Sequence, residues 1–596
     1  MSTLYLQQSK SRGRTYLSFV QGYRQDGKVK HKTIEKLGYL DELQKEYDDP
    51  VAFFKAEARR RNAEIPALEK IEINTGEILP EKTGLRKNLG YCIPKAVYSE
   101  LDCRSFFQNK QRCMDVKFNL DQVFRLLVFN RFMFPASKRR AYDERDRFFE
   151  RAEFSLDDTY RALRCFEKLS LPLQKFLHKR VSALIGREPS QCFYDVTNYY
   201  FEIPYNDEDT TAEDGSVKRG FRERGPSKEH RPDPIVQMGL LMDSNGIPVA
   251  FNVFPGNDSE KTSLLPTVHR VKSDYGIDRI VIVADRGLNT SDNTAFLSGI
   301  NDDNSHGDGY VYGQSVIGAD QEFRKWTLDQ KGYISDELPG DEPDETIIFR
   351  HKSRIFAKKI QLKGTNGKRT KTMCIYQKQM VYYSRKYADK QKKERERVLA
   401  KARELIANPG RYTRATSYGA TAYIKNLSFV KDTGEIATGR DLSLDTKKIE
   451  EEEKYDGYYS IVTSEKNMSD IEIRDTYKGL WRIEESFKVI KHEFRARPVY
   501  LRKEEHIKAH FLICFMALLL MRIIEIRLGR RYPFSTIRQS LVNCSCTPLE
   551  QNYYLCDYRD ECIIAMEKEF GIDLSHKYLS LKDIKKIFKH TKAEAV

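Results

Sequence analysis

The sequence predicts a mixed α/β protein built around one sheet, and three observations carry that prediction. Residues 235–242 and 247–254 are apolar runs separated by Asp243-Ser-Asn-Gly246, the composition of a tight turn between antiparallel strands. Arg279-Ile-Val-Ile-Val-Ala284 is apolar without alternation after its first residue, as in a strand covered on both faces. Gln191-Cys-Phe-Tyr-Asp195-Val-Thr197 reads as a further short buried strand with an aspartate inside it. Antiparallel strands followed by strand–helix alternation place the chain in the α/β group.

From the start of the chain, residues 3–40 alternate polar and apolar, as in Thr15-Tyr-Leu-Ser-Phe-Val, around the hairpin signal Gln25-Asp-Gly27. A charged helical segment follows near 48–63, so 1–65 reads as an N-terminal hairpin plus helix. Residues 66–186 read as a helical, DNA-binding region. There, 120–133 is a helix stopping before Pro135, and Ser155-Leu-Asp-Asp opens another with a good N-cap. The basic elbow Ser137-Lys-Arg-Arg140 lies between them. Residues 187–309 hold the first part of the sheet. Residues 310–465 interrupt it with strand-like runs (Thr346-Ile-Ile-Phe, Arg354-Ile-Phe-Ala, Met373-Cys-Ile-Tyr) and a charged helix at 386–407, closed by Asn408-Pro-Gly410. This reads as a mostly β insertion. Residues 466–530 return to helices, and 531–596 form a basic helical tail.

At 596 residues the chain is too long for a single core. The 102 basic and 87 acidic side chains leave a formal charge of +15, which suits a polyanionic partner, nucleic acid first. The N-terminus lacks the pattern of a signal peptide, and the longest apolar run, 511–521, is short for a bilayer. A cytoplasmic protein with no membrane partner is expected. The eleven cysteines follow no disulfide framework. Cys544, Cys546, Cys556 and Cys562 begin as C-x-C with no histidine close by, and ordinary thiols are the better reading than zinc.

The most informative segment is Tyr477-Lys-Gly-Leu-Trp-Arg-Ile-Glu484-Glu-Ser-Phe-Lys-Val-Ile-Lys491. Read as one helix, it stacks Tyr477, Glu484 and Lys491 two turns apart along one edge. Leu480, Ile483, Phe487, Ile490 and Phe494 form its buried stripe, and Glu485 points nearly opposite, to solvent. With Asp195 inside one strand and Asp285 at the end of another, three carboxylates stand where packing can bring them together. Such an oxygen-rich set suits Mg²⁺ or Mn²⁺, with two ions about 4 Å apart for phosphodiester chemistry. Taken singly, each aspartate is also an ordinary strand-end cap or ion-pair partner.

Together, Tyr194-Asp-Val-Thr197, Val283-Ala-Asp-Arg-Gly287 and the Tyr477–Lys491 segment resemble the DDE transposases of bacterial insertion sequences. More narrowly, they resemble the insertion-sequence-four superfamily with its tyrosine–arginine–glutamate–lysine signature. Tyr477, Glu484 and Lys491 match that signature. Leu480 stands at its arginine position, and Arg482 lies two residues on, about 160° further round a helix. Ser227-Lys-Glu-His-Arg-Pro-Asp233, Gly246-Ile-Pro-Val, Phe254-Pro-Gly-Asn257 and Arg497-Pro-Val-Tyr500 extend the likeness.

The resemblance implies an RNase H-like catalytic core with a β-rich insertion, flanked by helical N-terminal and C-terminal regions. It implies Asp195, Asp285 and Glu484 as catalytic metal ligands. It implies cut-and-paste movement of double-stranded DNA in the bacterial cytoplasm, by a homodimer on paired terminal repeats. For DNA contact it points to Tyr477, to Lys488 and Lys491 at phosphates, to Arg286 beside the second aspartate, and to Trp481 as a platform for a flipped base. The segment 218–231 carries six Lys/Arg and reads as a DNA-gripping loop, with Arg222, Arg224, Lys228, His230 and Arg231 as its contacts. A nuclease without strand transfer and a transposase-derived DNA-binding protein are the alternatives.

Overall fold

The computed structural model describes residues 4–64 except 12, 26 and 27; 75, 76, 78 and 81; and 86–590 except 188, 212–214, 216, 230, 300–306, 340–345, 364–369, 413–416, 418, 430–435 and 437–440. It comprises two units, Met1–Thr83 with Leu549–Tyr553, and Gly84–Pro548 with Tyr554–Val596.

In the first unit, β1 (Leu4–Ser11), β2 (Arg14–Gln25) and β3 (Lys28–Tyr39) form an antiparallel meander. The alternation expected near residue 15 turns Leu17 and Phe19 to one face, where α1 (Pro50–Glu64) lays Phe54 and Ala58 on them. Gln25 pairs with Lys28, while Asp26 and Gly27 of the expected turn lie outside the described residues.

The second unit is organised by a nine-stranded sheet. Its strands are β4 (Gln191–Tyr200), β5 (Ile235–Asp243), β6 (Pro248–Pro255), β7 (Val281–Ala284), β8 (Gly309–Gln314), β9 (Ile334–Pro339), β10 (Thr346–Lys363), β11 (Thr370–Tyr383) and β12 (Tyr458–Thr463). Their order across the sheet is β9-β10-β11-β12-β8-β7-β4-β5-β6. β7 runs parallel to both its neighbours, β4 and β8, and the other pairs are antiparallel.

Period-2 alternation sorts the side chains of β4. Cys192, Tyr194 and Val196 join the core beneath α4 (Glu260–Tyr275), whereas Phe193 joins the core on the opposite face. That opposite face is covered by helices. They include α2 (Leu120–Met133) and α3 (Leu156–Lys168), both packed on α8 (Glu504–Arg527). α3 begins in a capping box between Ser155 and Asp158, as the N-cap signal predicted. By length and a hydropathy of 2.1, α8 is apolar enough to cross a membrane, but 94% of that stretch is buried by protein.

The region expected as an interrupting insertion, 310–465, contributes to the same sheet. The runs at 346 and 354 belong to one 18-residue strand, β10, paired along its length with β11. β12 then bonds to β8 on one side and β11 on the other. A free sheet edge presents unpaired backbone groups, and the long hairpin satisfies them through β12. Outside the sheet stands α5 (Arg385–Ala407), whose Ala402 and Leu405 share a small core with Ala420, Ile424 and Ile436.

His351 on β10 ties the sheet to α6 (Asp470–Lys478). Its ring nitrogens lie 2.7 Å from Asp470 and 2.8 Å from Asp336, and Asp470 also pairs with Lys378 at 2.8 Å. Burial alone would lower the histidine pKa, but hydrogen bonds to the two carboxylates outweigh it and the net shift is upward. Burial would raise Asp470, but His351 and Lys378 hold it down at about 2. A raised folded pKa gives stability that is fully present below the ordinary 6.5 and lost as pH rises through the higher folded value. His351→Ala should therefore destabilise by about 2 kcal/mol at pH 6 and flatten that loss. Denaturant melts of both proteins at pH 6 and 9 check this, and equal pH slopes would remove the histidine from the account.

Candidate active site

Strand register builds the site. β4 and β7 are adjacent and parallel, and Ala284 pairs with Tyr194. The next residues, Asp285 and Asp195, therefore stand side by side, Asp285 leaving the C-terminal end of β7 and Asp195 inside β4, which runs on beside β5. In α/β sheets the C-terminal end of a parallel strand is where ligands bind, because the backbone there fans out into loops. Both aspartates line a cleft of about 1330 Å³, which Glu484 also lines.

Asp195 sits partly buried, its Oδ1 accepting the amide of Val196 at 2.7 Å. Burial pushes its carboxyl up to about 6, against the pull of the Lys228 ammonium, and Asp285 adds repulsion. Lys228 donates to the Val196 carbonyl and lies 3.7 Å from Glu260. Asp285 accepts the Arg286 amide at 2.7 Å and the Tyr477 hydroxyl at 3.2 Å. Tyr459 in turn donates to the Tyr477 oxygen at 3.1 Å. Burial pushes the Tyr477 pKa far up, so its hydroxyl stays a proton donor toward Asp285.

Tyr477 is thus largely enclosed and directed at a carboxylate, although the sequence pointed to it as a DNA contact. Removing its hydroxyl in Tyr477→Phe should slow DNA cleavage about tenfold, the value of one hydrogen bond to a charged group. The thermal midpoint should hardly move, and Tyr459→Phe should act in the same direction more weakly. A cleavage rate unchanged in Tyr477→Phe would dismiss this positioning role.

The expected single helix at 477–491 is divided. α6 ends at Lys478, and α7 (Trp481–Lys488) follows a tight turn in which Leu480, Arg482 and Ile483 donate to carbonyls three residues back, each at 3.1 Å. A wider π turn then spans Val489–Glu493. The cause is close approach to the sheet: a Cβ on Gly479 would stand 2.3 Å from the ring of Phe193. The predicted stripe is nonetheless buried, from Leu480 to Phe494. Glu485, expected free in solvent, instead reaches Arg522 at 3.0 Å. It leans back onto α8 because the turn brings that helix under it.

The other expected contacts divide into two groups. Trp481, Lys488, Lys491, Arg286 and Lys228 line the cleft with the carboxylates, and Trp481 is 50% exposed. Lys491 lies 3.1 Å from Glu229, which also binds Arg497, and burial lowers its pKa. Arg222, Arg224 and Arg231 are not among the cleft-lining residues. Arg222 is held by Asp207, Arg224 reaches the Pro204 carbonyl at 2.7 Å, and Arg231 pairs with Asp233 at 2.7 Å over the Tyr200 ring. These guanidiniums brace the loop on itself, which charge counting along the sequence does not reveal. His230 lies outside the described residues.

Sequence reasoning missed the wall of tyrosines facing the carboxylates, Tyr382, Tyr387 and Tyr459, packed ring to ring at 5.4–5.5 Å. The doublets Tyr382-Tyr383 and Tyr458-Tyr459 were the available signal. It also missed Glu229, an acid inside a basic loop, which takes up the charge of Lys491 and Arg497.

The donor set suits a hard divalent cation. Two carboxylates stand side by side, and the buried one resists ionising without a positive partner. Among the described residues no three acidic, histidine or cysteine side chains stand close enough to hold a metal ion as they are. Glu484 therefore shares the cleft without closing a three-carboxylate set. The thiols at 544, 546, 556 and 562 form no such group either.

A mixed sheet with two aspartates side by side on its parallel strands, and a glutamate helix lining the same cleft, is the arrangement of an RNase H-like domain. Residues 6–67 match the family model for the IS1634 family transposase, N-terminal domain, and residues 344–520 match the transposase DDE domain. Both matches support a DDE transposase of an insertion sequence. Its substrate is DNA, its setting is transposition, and domains of this kind use divalent metal ions. Glu484 lies inside the matched segment, whereas Asp195 and Asp285 precede it. No curated protein matches the chain in sequence.

Proposed function

We propose that this chain cuts DNA at the ends of its element by metal-dependent phosphodiester hydrolysis and joins the freed 3′-hydroxyl to target DNA, a cut-and-paste transposition. The observation that carries this reading is the register pairing that sets Asp195 beside Asp285 in the cleft lined by Glu484. These three residues would hold divalent metal ions, Mg²⁺ or Mn²⁺, two per site. When bound, such ions activate a water or hydroxyl and neutralise charge on the leaving oxygen.

The remaining work falls to the protein. Tyr477, backed by Tyr459, orients Asp285. Lys488 and Arg286 offer positive charge to the phosphates flanking the scissile bond. Trp481, half exposed on the cleft wall, offers a face for an unstacked base. Lys491 arrives neutralised by Glu229, so an incoming phosphate competes with that carboxylate for it. The helical segments flanking the core grip the DNA, and the enzyme works as a homodimer on paired ends.

The test is incubation of the purified protein and Glu484→Ala with DNA carrying the element's own ends, with Mg²⁺ or with chelator, resolved on a denaturing gel. Metal-dependent nicks at the element boundary that vanish in the variant are expected. Tight binding without cleavage by the wild type under several metals would instead identify a DNA-binding module.

A further inference from the structure

The structure holds a second cavity, separate from the carboxylate cleft and sharing one wall with it. It measures about 150 Å³, room for roughly five water molecules at ~30 Å³ each. Trp481 borders both spaces, with one lined by the carboxylates and the other by Arg482, Arg522 and Arg530. Arg522 pairs with Glu525 at 2.7 Å and Glu485 at 3.0 Å, although its Nε is buried without an acceptor. The other two make no such ion pairs. Among the described residues neither Arg482 nor Arg530 pairs with a carboxylate, and the Nε of Arg482 is buried without an acceptor. Arg530 spends one nitrogen on the Asn245 carbonyl.

Three guanidiniums against two carboxylates leave the cavity with a net positive charge. Burial depresses the Arg482 pKa, and the charges of Arg530 and Arg522 depress it further. Gathering like charges in a partly desolvated space is costly unless an anion enters it. The guanidinium of Arg482 is also held in place. Its Cζ stands 5.6 Å from the Trp481 ring, and the turn at Gly246 packs on its stem, where an added Cβ would lie 3.1 Å from Cδ. A fixed planar fork facing a polar cavity is the geometry that recognises phosphate.

We propose that this cavity binds one phosphate group, the arginines of positions 482 and 530 supplying its donors. This accounts for the odd placement of Arg482, which the turn at Gly479 directs away from the carboxylates while Leu480 occupies the cleft side. The group belongs either to the backbone of bound DNA, a source that rests on the function proposed above, or to free phosphate in solution.

Binding of end DNA by the full chain is to be measured across a salt series for wild type, Arg482→Gln, Arg530→Gln and Asp195→Asn. In parallel, a set of duplexes carries a neutral methylphosphonate at one position each. If DNA supplies the phosphate, each arginine variant lowers the slope of log affinity against log salt by about 0.9. One methylphosphonate position then weakens the wild type severalfold and leaves Arg482→Gln unaffected. If free phosphate is the ligand, millimolar inorganic phosphate raises the thermal midpoint of the wild type and not of Arg482→Gln, with salt slopes unchanged. Unchanged slopes together with an equal phosphate response in wild type and variants overturn the proposal. Should one arginine variant fail to fold, the other carries the test. Asp195→Asn separates the two readings. If it still cuts, the active-site assignment fails alone; if it is inactive and both arginine variants behave as wild type, the cavity fails alone.

Discussion

Asp195→Asn should reduce metal-dependent cleavage of end DNA by about a thousandfold while leaving affinity for that DNA within about twofold. The substitution is nearly isosteric, so the packing of β4 between its two cores is kept. It removes a negative oxygen from the position beside Asp285 that register assigns to it. Losing one preorganised electrostatic contact to a transition state costs on the order of 10²–10³ in rate. The upper end applies because the site is partly buried. Asp285→Asn should act alike, its neutral amide oxygen accepting from Tyr477 more weakly than the carboxylate does. Binding and cleavage measured on the same preparations separate the roles. A variant that binds normally and still cuts at a tenth of the wild-type rate would place the essential carboxylates elsewhere.

The second large effect is expected at Gly479. An alanine there brings a methyl group to 2.3 Å from the Phe193 ring and 3.0 Å from the Thr476 carbonyl. Phe193 is buried on β4, two residues before Asp195, and cannot swing aside. Overpacking of this kind costs about 1–3 kcal/mol. The strain should be relieved by moving α7, which carries Trp481 and Glu484, away from the sheet. Gly479→Ala should therefore lower the thermal midpoint and the cleavage rate together, the latter by tenfold or more. A partner substitution, Phe193→Leu, opens space at the contact and should recover part of both. If Gly479→Ala loses stability but keeps full activity, the position of α7 does not limit catalysis.

How much of this was legible beforehand differs by residue. The stripe from Leu480 to Phe494 was readable because helical periodicity is local, and it is buried as expected. The division of that helix was not, since Gly479 is forced by a ring on another element. The capping box at Ser155 was readable from four consecutive residues, whereas β10 looked like two short runs and is one long strand. Its length follows from pairing with β11, a partner the pattern does not name. In the basic loop, composition counted six cations correctly, but Asp207 and Asp233 hold Arg222 and Arg231, and the loop's own Glu229 takes up Lys491 from outside it.

By itself the sequence determined the α/β class and the likeness to insertion-sequence transposases, and it singled out three carboxylates as candidates, because each is written in short contiguous patterns. The tertiary structure decided that Asp195 stands beside Asp285, that Tyr477 serves Asp285, and that Arg482 faces a cavity of its own. The reason is physical: periodicity fixes which way a side chain leaves its own element, but only packing between elements fixes what it meets.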